Sequence, residues 1–315
     1  MLRQTFLEFQ PILKLERILF DEKSRYVYTE YNKFMSREFM YQIIQKRKLA
    51  PNVTEYVIVA PKVTLNASPG QFVMVRLFDG GERVPFTLCD SDTKKGTITL
   101  LVQEIGYTTR KMAEIEAGGY ISDIAGPLGE PTSLTGKKIC LVGGGIGTAV
   151  IYPQAKKLHK EHRAADVIIG ARTKELLMYE EKFQKTAKRL FITTDDGSYI
   201  RRGFVTDVLK ENLDGGANYD EVLAVGPMPM MRAVYKTAES YGVKTMVSMN
   251  SIMVDGTGMC GGCRLTVGGK TKYACVDGPE FDASLIDWDE AILRQGQYKV
   301  QEAAHLCRLT GEVNK

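Results

Sequence analysis

The chain has 315 residues, 42 Lys and Arg against 38 Asp and Glu, and a net charge of +4. That length holds two domains and a small appendix, the mild and interleaved charge argues against nucleic-acid binding, and no apolar run approaches a membrane span. Six cysteines, three of them clustered between 255 and 278, suit metal ligation in a reducing cytoplasm better than a disulfide scaffold.

Residues 1–39 lack the apolar core and small-residue cleavage site of a signal peptide. Ile12, Leu15, Ile18 and Leu19 give a weak helical stripe. The segment reads as an N-terminal extension outside the fold that follows, or as an initiator placed too early. From 40 to 133, short β-type runs at 41–44, 53–59, 72–78 and 97–103 alternate with turns at Pro69-Gly70 and Gly80-Gly81. A small closed antiparallel barrel accommodates such a pattern. Within it stands Arg83-Val-Pro85-Phe86-Thr87, which resembles the flavin-binding motif of the ferredoxin–NADP reductase superfamily. An arginine there can grip a pyrophosphate bidentately, and the Thr87 hydroxyl and nearby backbone can meet a flavin ring edge. Without a flavin the run is an edge strand carrying a proline. Gly106, Thr108 and Thr109 precede a helix-like stretch at 110–116. The free N–H groups of a helix start suit a phosphate, and the superfamily places the FAD pyrophosphate there. Gly126-Pro-Leu-Gly129 then ends the barrel.

From 134 to 250 the pattern changes to alternating β and α. A strand at 138–142 leads into Gly143-Gly-Gly145-Ile146-Gly147-Thr148 and an amphipathic stretch to about 162. Strand, glycines and helix form the layout of a nucleotide-phosphate site, although such a loop also serves as a plain tight turn. The G-x-G-x-x-G fingerprint fails at Thr148. The run instead resembles the reductase version GGGIG-x-A-P, with Val150 in the proline position. Strands at 166–170, 190–193, 221–225 and 244–247 and helices at 179–188, 204–213 and 228–241 complete a parallel sheet covered on both faces. Ligands of such sheets sit at the carboxyl ends of strands, which selects 145–148, Arg172, Asp195-Asp196-Gly197 and Gly226-Pro-Met228. Arg172 suits a 2′-phosphate or adenine stacking, so NAD(H) and NADP(H) both stay open. Gly226–Met231 resembles the superfamily's C-G-P-x-x-M, which flanks the nicotinamide, with Val225 in the cysteine position.

Residues 255–278 carry Cys260-Gly-Gly-Cys263, a clip whose two thiolates can hold one metal. A hairpin turning at Gly268-Gly269, with Val267 opposite Lys270, brings Cys275 beside the clip. Three thiolates leave one position open, and Asp255 lies in reach through a glycine-rich loop. An iron–sulfur cluster, a zinc ion held by three cysteines and an aspartate, and three unrelated buried cysteines all remain open on this pattern. Asp287 to Glu290 reads as a capping-box-like helix start, and Phe281, Leu285, Trp288 and Ile292 as one helical face for packing or for a partner. Cys89 and Cys140 read as buried structural thiols, Cys307 carries no reading, and His159, His162 and His305 read as solvated. No Ser/His/Asp or Cys/His nucleophile set is visible.

The run MNSIMVDGTGMCGGCRLTVGG…ACVDGPEFDA resembles the [2Fe–2S] segment of the small subunit of NADH-dependent reduced ferredoxin:NADP oxidoreductase, also called sulfide dehydrogenase subunit beta. A sister family is the electron-transfer subunit of dihydroorotate dehydrogenase, which has a cysteine where this chain has Asp255; Asp255 and Val225 favour the first. The resemblance covers 40 to about 295. It implies a ferredoxin–NADP reductase-like fold: an FAD-binding β barrel (40–133), an α/β parallel-sheet NAD(P) domain (134–250), a small iron–sulfur hairpin module (251–295) and a tail (296–315). It implies FAD, a [2Fe–2S] cluster and NAD(H) as cofactors. Arg83, Pro85, Phe86, Thr87, Gly106, Thr108 and Thr109 would serve FAD. Gly145, Ile146, Gly147, Thr148, Arg172, Asp196, Gly226 and Met228 would serve the nicotinamide, and Asp255, Cys260, Cys263 and Cys275 the cluster. The implied activity is electron transfer with a larger glutamate-synthase-like iron–sulfur flavoprotein subunit, in flavin-based bifurcation that reaches ferredoxin indirectly. The rival is the dihydroorotate dehydrogenase subunit, and the distant alternative a non-enzymatic zinc module.

Overall fold

β-branched and aromatic residues at alternate positions build the first sheet. Its strands are β1 (Tyr41–Ala50), β2 (Val53–Val59), β3 (Phe72–Arg76), β4 (Arg83–Asp92), β5 (Thr97–Gln103), β6 (Tyr120–Ile121) and β7 (Asp123–Leu128). In the computed structural model, which describes residues 41–310, they lie in the order β6-β1-β2-β5-β4-β3-β7, all antiparallel. The edge strands β6 and β7 are consecutive in the chain, so the sheet curls to near closure. Ile43, Tyr56, Ile58, Val73, Val75, Ile98, Leu100 and Val102 fill its interior, and the Tyr56 hydroxyl donates to the Met112 carbonyl at 3.1 Å. Helices α1 (Pro61–Thr64) and α2 (Tyr107–Ala113) lie between strands. The expected first strand stopped at 44; β1 runs on because its charged outward residues pair along β2, Arg47 opposite Glu55. The expectation for 1–39 lies outside the described residues.

The second sheet has the order β10-β9-β8-β11-β12 with β15 (Glu280–Asp282) at its edge. Its parallel strands are β8 (Ile139–Gly144), β9 (Asp166–Ala171), β10 (Arg189–Thr194), β11 (Glu221–Val225) and β12 (Lys244–Ser248). Helices α3 (Gly147–Val150), α4 (Tyr152–Lys160), α5 (Glu180–Thr186), α6 (Val205–Asp214) and α7 (Met228–Glu239) connect them. The near-continuous burial of β8, β9 and β11 is that of strands covered on both faces.

Barrel and nucleotide sheet share apolar core. Ala50, Val53, Cys89 and Leu101 of the barrel pack in one cluster with Leu141, Ile151, Tyr179 and Phe183. Phe72 and Met74 of β3 pack in another with Cys140, Val142, Cys263, Leu265 and Cys275.

The C-terminal part comprises β13 (Arg264–Val267), β14 (Lys270–Tyr273), β15 (Glu280–Asp282), α8 (Trp288–Gln295) and α9 (Lys299–Thr310). β15 lies antiparallel to β12, which stitches this part onto the nucleotide sheet. The Met249 amide donates to the Pro279 carbonyl at 2.8 Å, so both ends of the intervening segment meet at one neck. The expected helical face from Phe281 to Ile292 is corrected here. Phe281 belongs to β15, Leu285 sits exposed in a 3-10 turn, and the helix starts only at Trp288. The cause is local capping. Asp282 accepts from the Ser284 amide at 3.0 Å and Asp287 from the Glu290 amide at 3.0 Å, each ending one conformation and starting another. The reciprocal half of a capping box is missing, because the Glu290 carboxylate accepts from the Thr266 amide instead. The Trp288 ring nitrogen donates to the Ala283 carbonyl, which buries the indole against its own part of the chain.

Candidate functional site: a flavin barrel, a nucleotide loop and a cysteine hairpin

The glycine pair at 268–269, both with positive φ (+58° and +72°), closes the β13–β14 hairpin with Val267 opposite Lys270. The Ala274 amide donates to the Cys263 carbonyl, and the Cys263 and Cys275 sulfurs lie 3.2 Å apart, both buried. Burial and the adjacent Cys263 push the Cys275 thiol up to about 12; two thiolates this close need a bound cation between them. Cys260 is exposed, and its sulfur accepts from the Gly262 amide at 3.4 Å. Asp255 accepts from the Thr257 amide at 2.5 Å and hydroxyl at 3.0 Å, and from the Cys260 amide at 2.7 Å. These donors, the Thr257 amide foremost, hold its carboxyl down at about 2. Among the described residues no three His, Cys, Asp or Glu side chains converge on a single ion position. The Cys263 and Cys275 sulfurs face each other, while Asp255 holds the backbone amide of Cys260. A two-iron cluster takes two protein ligands at each metal, and Cys263 and Cys275 are placed as one such pair.

The loop that carries Asp255 rests on the barrel. A Cβ at Gly256 would lie 2.7 Å from Cγ of Met74 and 3.0 Å from Cδ1 of Leu128. Met74 on β3 pairs with Pro85 on β4, and Phe72 with Thr87. The cysteine loop and the Arg83–Thr87 motif therefore meet across one strand. Phe86 is buried in the barrel core, while Arg83 is half-exposed and donates to Asp123 on β7 at 2.6 Å. The threonine hydroxyls at 108 and 109 are committed to protein: Thr108 donates to Glu82, and Thr109 accepts from the Ile105 and Gly106 amides at 3.0 Å each. Gly106 caps α2, and the first-turn amides, which have no acceptor inside the helix, remain the groups suited to a phosphate.

At the nucleotide sheet the glycines divide their labour. Gly145 has φ +57°, and a Cβ there would meet nothing within 4 Å, so its bare backbone faces open space. A Cβ at Gly147 would collide with the Val225 carbonyl oxygen; that glycine lets the loop pack on β11. Thr148 and Met228 are almost wholly buried, and Ile146 packs on the core. Met230 is the methionine of the C-G-P-x-x-M-like run that starts at Val225, and its sulfur fills the space a Cβ at Gly144 would take and lies 2.9 Å from the Cβ position of Gly226. It covers the glycines at the ends of β8 and β11; the motif marked its position, but only the packing shows that its side chain lies over those glycines. Arg172, Asp195 and Asp196 are exposed at the ends of β9 and β10. The Asp196 carboxylate caps its turn by accepting from the Ser198 amide at 2.9 Å. Burial raises the Asp195 carboxyl against the opposing charge of Arg172.

Glu280 sits where barrel linker, nucleotide sheet and hairpin part join. The Thr132 hydroxyl lies 2.7 Å from its carboxylate. Gln154 is satisfied with its amide nitrogen on the Val150 and Ile151 carbonyls and its oxygen 3.0 Å from the same Thr132 hydroxyl. One hydroxyl proton then faces two acceptors, which a protonated Glu280 resolves. Burial pushes this carboxyl up to about 7.

Residues 250–287 match the iron–sulfur cluster binding domain of dihydroorotate dehydrogenase B, and 141–236 the oxidoreductase NAD-binding domain. A protein from the adh 3′ region of Clostridium beijerinckii is 46% identical over 84% of this chain and 92% of its own length. A Thermotoga maritima homologue of the electron transfer subunit of dihydroorotate dehydrogenase B (NAD(+)) is 42% identical over 83% and 92%. A chain of the NADH-dependent reduced ferredoxin–NADP oxidoreductase structure, solved for flavin-based electron bifurcation, superimposes with a TM-score of 0.81 at 41% identity, covering 86% of this chain and 98% of that one. FAD, an iron–sulfur cluster and NAD(H) are the cofactors that go with this fold and these domains. The chain belongs to the family of oxidoreductase electron-transfer subunits that includes the small subunit of NADH-dependent reduced ferredoxin–NADP oxidoreductase and the electron-transfer subunit of dihydroorotate dehydrogenase B.

Proposed function

We propose that this chain passes electrons between NAD(H) and a larger iron–sulfur flavoprotein subunit, by way of FAD on the barrel and a [2Fe–2S] cluster on the hairpin. The reading rests on one contact: the Asp255–Cys263 loop packs on Met74, whose β4 partner is Pro85 of the flavin motif. When bound, FAD supplies the exchange between two-electron hydride chemistry and one-electron transfer. Arg83, Pro85, Phe86, Thr87 and the Gly106–Thr109 turn would hold and orient it. Gly145 to Thr148, Arg172, Asp196, Gly226 and Met228 would line the nicotinamide side, and Met230 would shield it from water. Asp255, Cys260, Cys263 and Cys275 would ligate the cluster. Asp255 in place of a fourth cysteine, and Val225 before Gly226, favour the reduced ferredoxin:NADP oxidoreductase type. Its partner would be glutamate-synthase-like, with bifurcation in that subunit and ferredoxin reached through it, in the cytoplasm. The match of 250–287 to the dihydroorotate dehydrogenase B domain supports a second reading, delivery to a dihydroorotate-oxidising subunit.

Anaerobic purification, a visible spectrum and metal analysis test the first claim. Yellow-brown protein with FAD and about two iron and two sulfide per chain is expected; a colourless protein with stoichiometric zinc overturns it. Co-expression with each candidate partner separates the two readings by which one forms a stable complex.

A further inference from the structure

We infer that Glu55, Tyr179 and Lys182 are positioning residues that set how the nucleotide sheet sits on the flavin barrel. This rests on the reading that FAD and NAD(H) occupy those two parts. Glu55 lies on β2 and is only 4% exposed. Its own sheet supplies one partner: Arg47 on β1 donates to Oε1 at 2.8 and 3.1 Å. The other oxygen is held from across the boundary, by the Tyr179 hydroxyl at 2.5 Å and the Lys182 ammonium at 3.2 Å. Burial alone would raise this carboxyl; the Tyr179 hydroxyl and the two cations outweigh it and keep Glu55 below the usual carboxylate value, charged.

Two features show that the contact is built for orientation. Tyr179 has φ +63°, the left-handed region, which a bulky side chain adopts at a cost. That turn aims its hydroxyl out of the nucleotide sheet at the barrel carboxylate. Lys182 lies 3.5 Å from the Tyr179 ring centroid and 5.1 Å from that of Tyr152, and Tyr152 meets Tyr179 and Phe183 edge-on. A charge pair fixes direction as well as distance, whereas the apolar contacts around it tolerate sliding. Tyr179 also ends the segment that begins at Arg172. That segment, on the ligand side of β9, is thus anchored at its far end to the barrel. A shift of about 1 Å between donor and acceptor suffices to slow a transfer step strongly.

The experiment uses full-length protein loaded with FAD and cluster, comparing wild type with Tyr179→Phe and Glu55→Gln. Two readouts are taken: amide hydrogen exchange over 47–55 and 176–186, and stopped-flow reduction of the flavin by NADH. Both variants should keep wild-type FAD and iron. Exchange in both segments should quicken, and the limiting reduction rate should fall by about tenfold or more with an unchanged half-saturating NADH concentration. Because the residues act as one unit, the double variant should be no slower than the worse single one. Unchanged exchange and rate, or a lower melting temperature with an unchanged rate, overturns the proposal while leaving the electron-transfer reading intact. A wild-type flavin that neither NADH nor NADPH reduces overturns both.

Discussion

Single atoms decide what two neighbouring glycines do. Gly147→Ala places its methyl against the Val225 carbonyl, backbone that cannot rotate away, and should cost about 1–3 kcal/mol of stability. Gly145→Ala meets open space and pays only for φ +57°, about 1–2 kcal/mol, yet it fills the approach expected for the dinucleotide phosphates. Thermal melts should therefore rank Gly147→Ala as the less stable, while NADH titration of flavin reduction should rank Gly145→Ala as the weaker binder. The sequence marked both glycines but not their separate tasks, since packing against β11 is invisible along the chain. Asp255 is similar: its place near the clip was legible, but its donors from Thr257 and Cys260 were not. Those bonds make it a loop cap whether or not it binds iron. Asp255→Asn keeps one oxygen for Thr257, turns its amide nitrogen to the Cys260 N–H and removes the anionic ligand, whereas Asp255→Cys supplies a thiolate. If Asp255 ligates, both should change the reduced-state EPR spectrum, and the cysteine variant should keep full iron and have the lower potential. An unaltered spectrum in Asp255→Asn leaves capping as its whole role.

Among the elements, the return strand β15 carries the clearest pH signature. Glu280 has its folded value raised to about 7 from an ordinary 4.5. Its contribution is therefore fully present below about 4.5 and lost as pH rises through 7. Glu280→Gln stays neutral, so relative to wild type it should gain stability between pH 5 and 8.5, by up to roughly 3 kcal/mol. Denaturant melts at the two pH values check this, and a constant difference would show that Glu280 stays charged. Elements with a strong period were legible: β11 falls where its apolar run predicts, and the hairpin register is the one its glycine pair dictates. The stretch from Phe281 to Ile292 was not. Its apolar spacing matches a helix, and two aspartate caps override that spacing through bonds of single side chains.

At the scale of the whole molecule, the order of barrel, sheet and hairpin could be read because each has its own periodicity. Their junctions could not, because Glu55 and Tyr179 are 124 residues apart in sequence and carry no local pattern. Among the described residues no helix is long and apolar enough to cross a membrane, and apolar core joins the two sheets. The neck at Met249 and Pro279, flanked by β12 and β15, has a bearing on biogenesis. The bond that joins the segment's two ends is made by backbone, so it holds whether or not the cysteines carry iron, while Cys263, Leu265 and Cys275 pack in the core with Phe72 and Met74. Maturation can thus proceed in stages: the chain folds, takes up flavin, and receives its iron last. Starving cells of iron should yield a yellow, folded, NADH-reducible protein lacking only its brown colour. Replacing 250–278 with a short turn takes Cys263, Leu265 and Cys275 out of that core and Thr266 from Glu290, so it should lower the melting temperature as well as abolish iron binding.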